Sequence, residues 1–195
     1  MLTVPVGQFL NSTQTRRVDA ERSYPNQLVQ RGRPKQIDFV LVRRGQGTDA
    51  HLIETKWITV DRVFKQEIIN DLLRLETCEF NNEEGRWFVV AGQTNHIRTS
   101  IQETRISIGG GTALLFADVL SFDEAQPRFN VRVGDAQLAH RKLWAAAAAE
   151  MRQTDLPLSI NTKLASIATS GQLDTDFQCV VWQIQSVRNR ATCPV

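Results

Sequence analysis

Apolar residues change their spacing several times along the chain, and each change predicts an element. IDFVLV at 37–42 is β-branched and apolar, and AHLIETKWI at 50–58 is a second such run; RRGQGTD, with its two glycines, lies between them. Together they predict two strands joined almost as a hairpin. From Asp61 to Glu79 the spacing lengthens: Phe64, Ile68, Leu72 and Leu75 recur at helical intervals, with Ile69 and Leu73 widening the stripe, so an amphipathic helix is expected there. After the turn NNEEG at 81–85, RWFVVAG predicts a third strand, and 94–105 a short helix. Residues 10–30 are polar and only weakly helical, with a break at Pro25, which disfavours helix before it. The order β, β, α, β predicts an α/β fold in which a central mixed sheet is flanked by helices.

The C-terminal half uses the same vocabulary less cleanly. Residues 112–122 suit helix or strand equally, FNVRV at 129–133 suits a short strand, and 135–153 a helix capped by Asp135, whose alanine run is strong helix former. LPLSINTKLASIA and DFQCVVWQIQSV read as closing strands. At 195 residues one domain is expected. Its core would lie at about 15–93, and 94–195 would be an elaborated extension of the same domain.

Composition narrows the class. With 42% hydrophobic and 23% charged residues the chain falls in the range of ordinary globular proteins, outside the disordered and membrane extremes. No apolar run approaches the ~20 residues that span a bilayer. The N-terminal MLTVPVGQFL lacks the basic residue of a secretory signal and is broken by Pro5. Cys78, Cys179 and Cys193 form no CxxC pair, which argues against a disulfide framework or a zinc ribbon. A reducing, cytoplasmic setting is expected. Charge is uneven: residues 1–44 carry a net +5 and the remaining 151 residues −3. Of the 23 basic residues 18 are arginine, whose planar fork suits phosphate oxygens. Arg31, Arg33 and Lys35, with Arg43 and Arg44, therefore form a candidate arm for a polyanion.

Candidate chemistry sits on the first two apolar runs. Asp38 opens IDFVLV, and Glu54 and Lys56 lie inside HLIETKWI. The period of two in a strand puts Glu54 and Lys56 on one face and Ile53 and Thr55 on the other. If the strands pair, Asp38 reaches the same place, so that two carboxylates and an ammonium converge. Two hard carboxylate oxygens are what Mg²⁺ or Mn²⁺ takes from a protein, the rest of its shell being water and substrate phosphate. A (D/E)-x-K triplet also arises by chance about once in two chains of this composition, so its setting between apolar strands is what gives it weight.

GRPKQIDFVLV followed by HLIETKW resembles the core of the PD-(D/E)XK nuclease superfamily, whose signature is an aspartate on one strand and a (D/E)-x-K triplet on the next. Asp38, Glu54 and Lys56 match that signature; Ile37 stands where the pattern has proline, the nearest being Pro34. The resemblance covers about residues 15–93. It implies a restriction-endonuclease-like core and a Mg²⁺- or Mn²⁺-dependent phosphodiesterase, most simply a DNA endonuclease of a restriction, phage-defence or repair system. It also implies that Asp38 and Glu54 are metal ligands, with the Thr55 carbonyl as a further one, and that Lys56 orients or helps deprotonate the attacking water. Family members often add an acid from a first helix, for which Glu21 is the candidate, and Gln66 or Lys65 on the following helix would touch substrate. The implied partners are DNA and either a second copy or another protein of the same system. Two alternatives stay open: a module of the same fold that binds nucleic acid or protein without cleaving, and a nuclease acting on RNA.

Other motifs carry less. SIGGGTALLF lacks both the GxxxxGK[ST] and the GxGxxG pattern and reads as a flexible turn. His51, His96 and His140 have no ligand spacing and read as structural. Trp57, Trp87, Trp144 and Trp182 each lie in an apolar element and are expected in the core rather than as base-stacking platforms.

Overall fold

The computed structural model describes residues 8, 16–23, 36–43, 49–59, 65–78, 85–108, 111–116, 119–122, 129–132, 138–151, 155–157, 159–185 and 192–194. One side of its main sheet is an antiparallel meander of β1 (Arg16–Ser23), β2 (Gln36–Arg43) and β3 (Asp49–Ile58). Helix α1 (Lys65–Thr77) then carries the chain to β4 (Arg86–Gln93), which pairs with β3 in parallel. A parallel pair needs such a crossover, since no tight turn can return the chain to the same end of the sheet.

The short helix α2 (Thr94–Ile97) runs into a single π-helical turn, Arg98–Gln102, as the sequence predicts for 94–105. The antiparallel pair β5 (Arg105–Ile108) and β6 (Gly111–Leu114) follows, and Gly109 and Gly110, part of the expected flexible turn, lie outside the described residues. The pair resolves the start of the ambiguous segment 112–122 as strand. Next come β7 (Phe129–Arg132), α3 (Leu138–Glu150), the short β8 (Asp155–Pro157), β9 (Ser159–Thr169), β10 (Phe177–Gln185) and β11 (Thr192–Pro194). Asp135, the expected cap of α3, lies outside the described residues. The main sheet has seven strands in the order β1-β2-β3-β4-β10-β9-β7, all neighbours antiparallel except β3 and β4. Of the C-terminal strands β7, β9 and β10 thus extend the same mixed sheet, β8 pairs with β11 outside it, and the fold is α/β.

The expectation for 10–30 fails over its described part: 16–23 is a strand, not part of a weak helix. Its sequence, RRVDAERS, offers little apolar alternation because β1 is the outermost strand of the sheet, with Ala20 to Ser23 exposed. Pairing with β2 over seven positions decides its conformation, overriding a weak local preference.

The sheet has two unlike faces. On one, Val40, Val42, Leu52, Ile58, Phe88, Val90, Val180, Trp182 and Ile184 pack with Ile68, Ile69, Leu72, Leu73 and Leu75 of α1 and with Trp144, Ala147 and Ala148 of α3. The five α1 side chains are fully buried, each contributing roughly 1.5–3 kcal/mol of transfer free energy. On the other face a smaller cluster, Phe39, Leu41 and Ile53, packs with Val18, Trp87 and Val89. Trp144 and Trp182 are core residues, as expected; the Trp182 indole donates to the Ser121 carbonyl at 2.8 Å. Trp87 is half-buried and donates to His51 Nδ1 at 3.0 Å, a structural role for that histidine. Trp57 departs from expectation: it is exposed. Gly92 faces Ile58 across the β3–β4 pair, and a Cβ there would lie 2.5 Å from the Ile58 carbonyl oxygen.

Candidate functional site

Strand alternation places Glu54 and Lys56 between Leu52 and Ile58 on the helix-packed face of β3, beneath α1. Glu54 is buried. The β2–β3 ladder pairs Phe39 with Ile53, and one step further in that register Asp38 stands across from Glu54. Among the described residues the Asp38 side chain makes its hydrogen bonds to Thr55. Its Oδ2 accepts from the Thr55 amide at 2.8 Å and from the Thr55 hydroxyl at 2.7 Å. The aspartate of β2 is therefore clasped to the residue between the two members of the triplet.

Lys56 extends toward α1. Its Nζ lies 2.6 Å from Asp71 Oδ2, an ion pair without hydrogen-bond alignment, and Arg74 donates to the other oxygen of the same carboxylate. Asp71 is buried, and the Lys56 side chain keeps one-fifth of its surface. Burial lowers the pKa of Lys56; Glu54 raises it, Arg74 lowers it, and Asp38 and Glu67 raise it. These causes also show that both carboxylates of the sequence signature lie within electrostatic reach of the ammonium. Asp71 and Arg74 were missed in the sequence. Only the facing of α1 onto β3 gives them a role, and their spacing of three on a helix is otherwise an ordinary ion pair.

The remaining candidates fall as follows. Glu21 is on β1 rather than on a helix, which corrects the expectation for an acid from a first helix; the pairs Ala20 with Phe39 and Arg22 with Ile37 put it across from Asp38. It has φ 54°, the left-handed region that a non-glycine residue seldom adopts, and is exposed. Glu21, Asp38 and Glu54 thus share one cross-strand row. Gln66 donates to Asn70 Oδ1 at 3.1 Å, and Asn70 donates to Glu150 Oε2 at 2.6 Å, so its amide joins a chain linking α1 to α3. Lys65 donates to the Arg105 carbonyl at 3.0 Å. Arg31, Arg33, Lys35 and Arg44 lie outside the described residues, as does the side chain of Arg43.

Among the described residues no three His, Cys, Asp or Glu side chains come together as a ready-made metal cage. The donor set nonetheless fits Mg²⁺ or Mn²⁺, which takes one or two carboxylates from the protein rather than a full cage. Asp38 Oδ1 has no hydrogen bond among the described residues while Oδ2 is anchored, an orientation suited to a ligand carboxylate. No described helix is long and apolar enough to cross a membrane. Compared with protein-family models, with curated proteins and with solved structures, the chain gives no match.

Proposed function

We propose that this protein is a metal-dependent phosphodiesterase with a restriction-endonuclease-like core, acting as a DNA endonuclease in the cytoplasm. The observation that carries the reading is the clasp between Asp38 and Thr55, which ties an aspartate on β2 to the centre of the Glu54-Thr55-Lys56 triplet on β3. The helix that follows the triplet strand supports it, because the resemblance implies one there.

Asp38 and Glu54 would hold Mg²⁺ or Mn²⁺, with the Thr55 carbonyl on the same strand. The bound ion supplies Lewis-acid polarisation of the phosphate and hydroxide near neutral pH. The chain's own residues do the rest. Thr55 fixes the Asp38 carboxylate from two directions, and the burial of Glu54 raises the worth of every charge near it. Lys56 offsets the charge that builds on the phosphoryl oxygens and orients the attacking water, while Asp71 and Arg74 set where its head can lie. The basic arm at 31–44 would hold the phosphate backbone.

A second reading has one observation in its favour. Lys56 pairs with Asp71 of α1, and an ammonium held this way also serves as a purely structural ion pair in a module that binds without cleaving. Incubation of the purified protein with supercoiled plasmid and with structured RNA, in Mg²⁺, Mn²⁺ or EDTA, separates the two. Metal-dependent nicking of closed circles is expected. Binding without cleavage in either metal would establish the module, and cleavage confined to RNA would make the enzyme a ribonuclease.

A further inference from the structure

Among the described residues three large apolar side chains are exposed: Trp57 at 36%, Phe177 at 50% and Leu173 at 68%. They are not scattered. Trp57 and Phe177 stack with ring centroids 5.6 Å apart and planes 25° from parallel, and Leu173 belongs to the turn that leads into Phe177. Trp57 follows Lys56 directly on β3, three residues or about 10 Å beyond Glu54.

The turn is built to hold this shape. Phe177 donates its amide to Ser170 Oγ at 2.9 Å and accepts the Ser170 amide at 2.8 Å. The Leu173 amide donates to Asp176 Oδ2 at 2.6 Å. The turn is in turn fastened to the start of α2: the amides of Thr94 and Asn95 donate to the carbonyls of Asp176 and Asp174, and Arg98 grips the Asp174 carboxylate with both Nη atoms. Solvent-facing rings fixed this firmly bind a partner with little further loss of conformational freedom.

We propose that Trp57 and Phe177 form a stacking platform for an unpaired nucleobase, so that the substrate carries a single-stranded stretch beside the scissile bond. The inference rests on the nuclease reading and names the substrate class for it. Its size is the first argument: the three side chains expose on the order of 300 Å², far below the ~800 Å² per partner of a stable protein interface, yet ample for a base. A base-sized aromatic face also accepts any sequence, because every base has a π-face. Charge is the second: residues 1–44, with net +5, precede β3 in the sequence. Geometry is the third. Trp57 leaves β3 on the face opposite Glu54 and Lys56, so a strand that meets both must turn over the carboxyl end of β3. A flexible single strand makes that turn readily, whereas a stiff duplex bends only at a cost.

The test uses fluorescein-labelled oligonucleotides and the full chain in EDTA, where no cleavage can occur. Anisotropy is read for oligo(dT), oligo(rU) and a blunt DNA duplex with wild type, Trp57→Ala, Phe177→Ala and Trp57→Phe. Both alanine variants should lose about tenfold or more in single-strand affinity, Trp57→Phe should keep most of it, and duplex affinity should stay within twofold. The tighter of the two single strands identifies the sugar. Equal losses on single strand and duplex, unchanged single-strand affinity, no nucleic-acid binding by wild type, or a dimer that Trp57→Ala dissociates would each overturn the platform. Binding through Trp57 with no cleavage on adding Mg²⁺ or Mn²⁺ would instead sink the nuclease reading and leave the platform standing.

Discussion

Lys56 Nζ lies 2.6 Å from Asp71 Oδ2, so the lysine of the candidate triplet is tied to the helix that crosses over its strand. Asp71 is buried, and Arg74 engages its second oxygen. Asp71→Asn removes the charge and keeps the shape, leaving Lys56 and Arg74 close together with no carboxylate between them. Removing one member of a buried pair costs about 3–5 kcal/mol, and the partial exposure of Lys56 reduces this to about 1–3 kcal/mol. Urea denaturation of the variant should show a lowered midpoint at unchanged slope. Wild-type stability would mean that the pair is not held in solution.

The two members of the triplet should fail in different ways. Glu54→Ala removes a proposed metal ligand, so on that reading Mn²⁺ should bind more weakly and plasmid nicking should recover in part with excess metal. Lys56→Ala leaves both carboxylates, so metal should bind as in wild type while turnover falls ~10²-fold or more. Titration calorimetry beside a nicking assay reads both. Wild-type turnover in Lys56→Ala would take Lys56 out of the catalytic machinery and leave it a structural partner of Asp71.

What could be read in advance follows the strength of local patterns. Ile68, Leu72 and Leu75 announced α1, and IDFVLV, AHLIETKWI and RWFVVAG announced β2, β3 and β4, because each buries a continuous apolar face whose period local geometry sets. The strand β1 was hidden: RRVDAERS is an edge, and ladder bonds to β2 rather than side-chain pattern hold it. The pairing of Asp38, Glu54 and Lys56 on neighbouring strands was legible as a motif. The clasp to Thr55 and the tie to Asp71 were not, since both depend on register and helix docking. Trp57 is exposed for a related reason: an indole in an apolar strand reads as core until the register shows which side of the sheet it leaves.

The arm at 31–44 makes a prediction of its own. If Arg31 and Arg33 contact phosphates, DNA affinity should fall with salt by roughly 0.9 log units per neutralised phosphate per decade, and Arg31→Ala with Arg33→Ala should flatten that slope by about two contacts. Filter binding across 50–300 mM salt measures it. An unchanged slope would locate the phosphate contacts elsewhere in the chain.

Gly92 tests the parallel pairing of β3 with β4 independently of function. A methyl group there meets the Ile58 carbonyl oxygen at 2.5 Å, and the obstacle is backbone rather than a movable side chain. Gly92→Ala should therefore destabilise by about 1–3 kcal/mol despite the better propensity of alanine. A melting temperature at or above that of wild type would show that the two strands do not approach in this register.

Thr55 offers the sharpest test of the clasp. Its hydroxyl donates to Asp38 Oδ2 at 2.7 Å, and its amide donates to the same oxygen at 2.8 Å. Thr55→Val keeps the branched shape that suits a strand and the amide bond, and deletes only the hydroxyl donor. Asp38 then keeps one anchor and gains rotational freedom, which an ion requiring near-ideal geometry tolerates poorly. Loss of an orienting hydrogen bond to a ligand typically costs 10–100-fold in metal affinity, and the surviving amide bond argues for the lower end, about tenfold. Thr55→Ser, which retains the hydroxyl, should bind Mn²⁺ nearly as wild type does. Calorimetric titration of the three proteins gives the answer directly. If Thr55→Val binds Mn²⁺ with undiminished affinity while Glu54→Ala does not, Asp38 is no ligand, and the aspartate serves only to join β2 to β3.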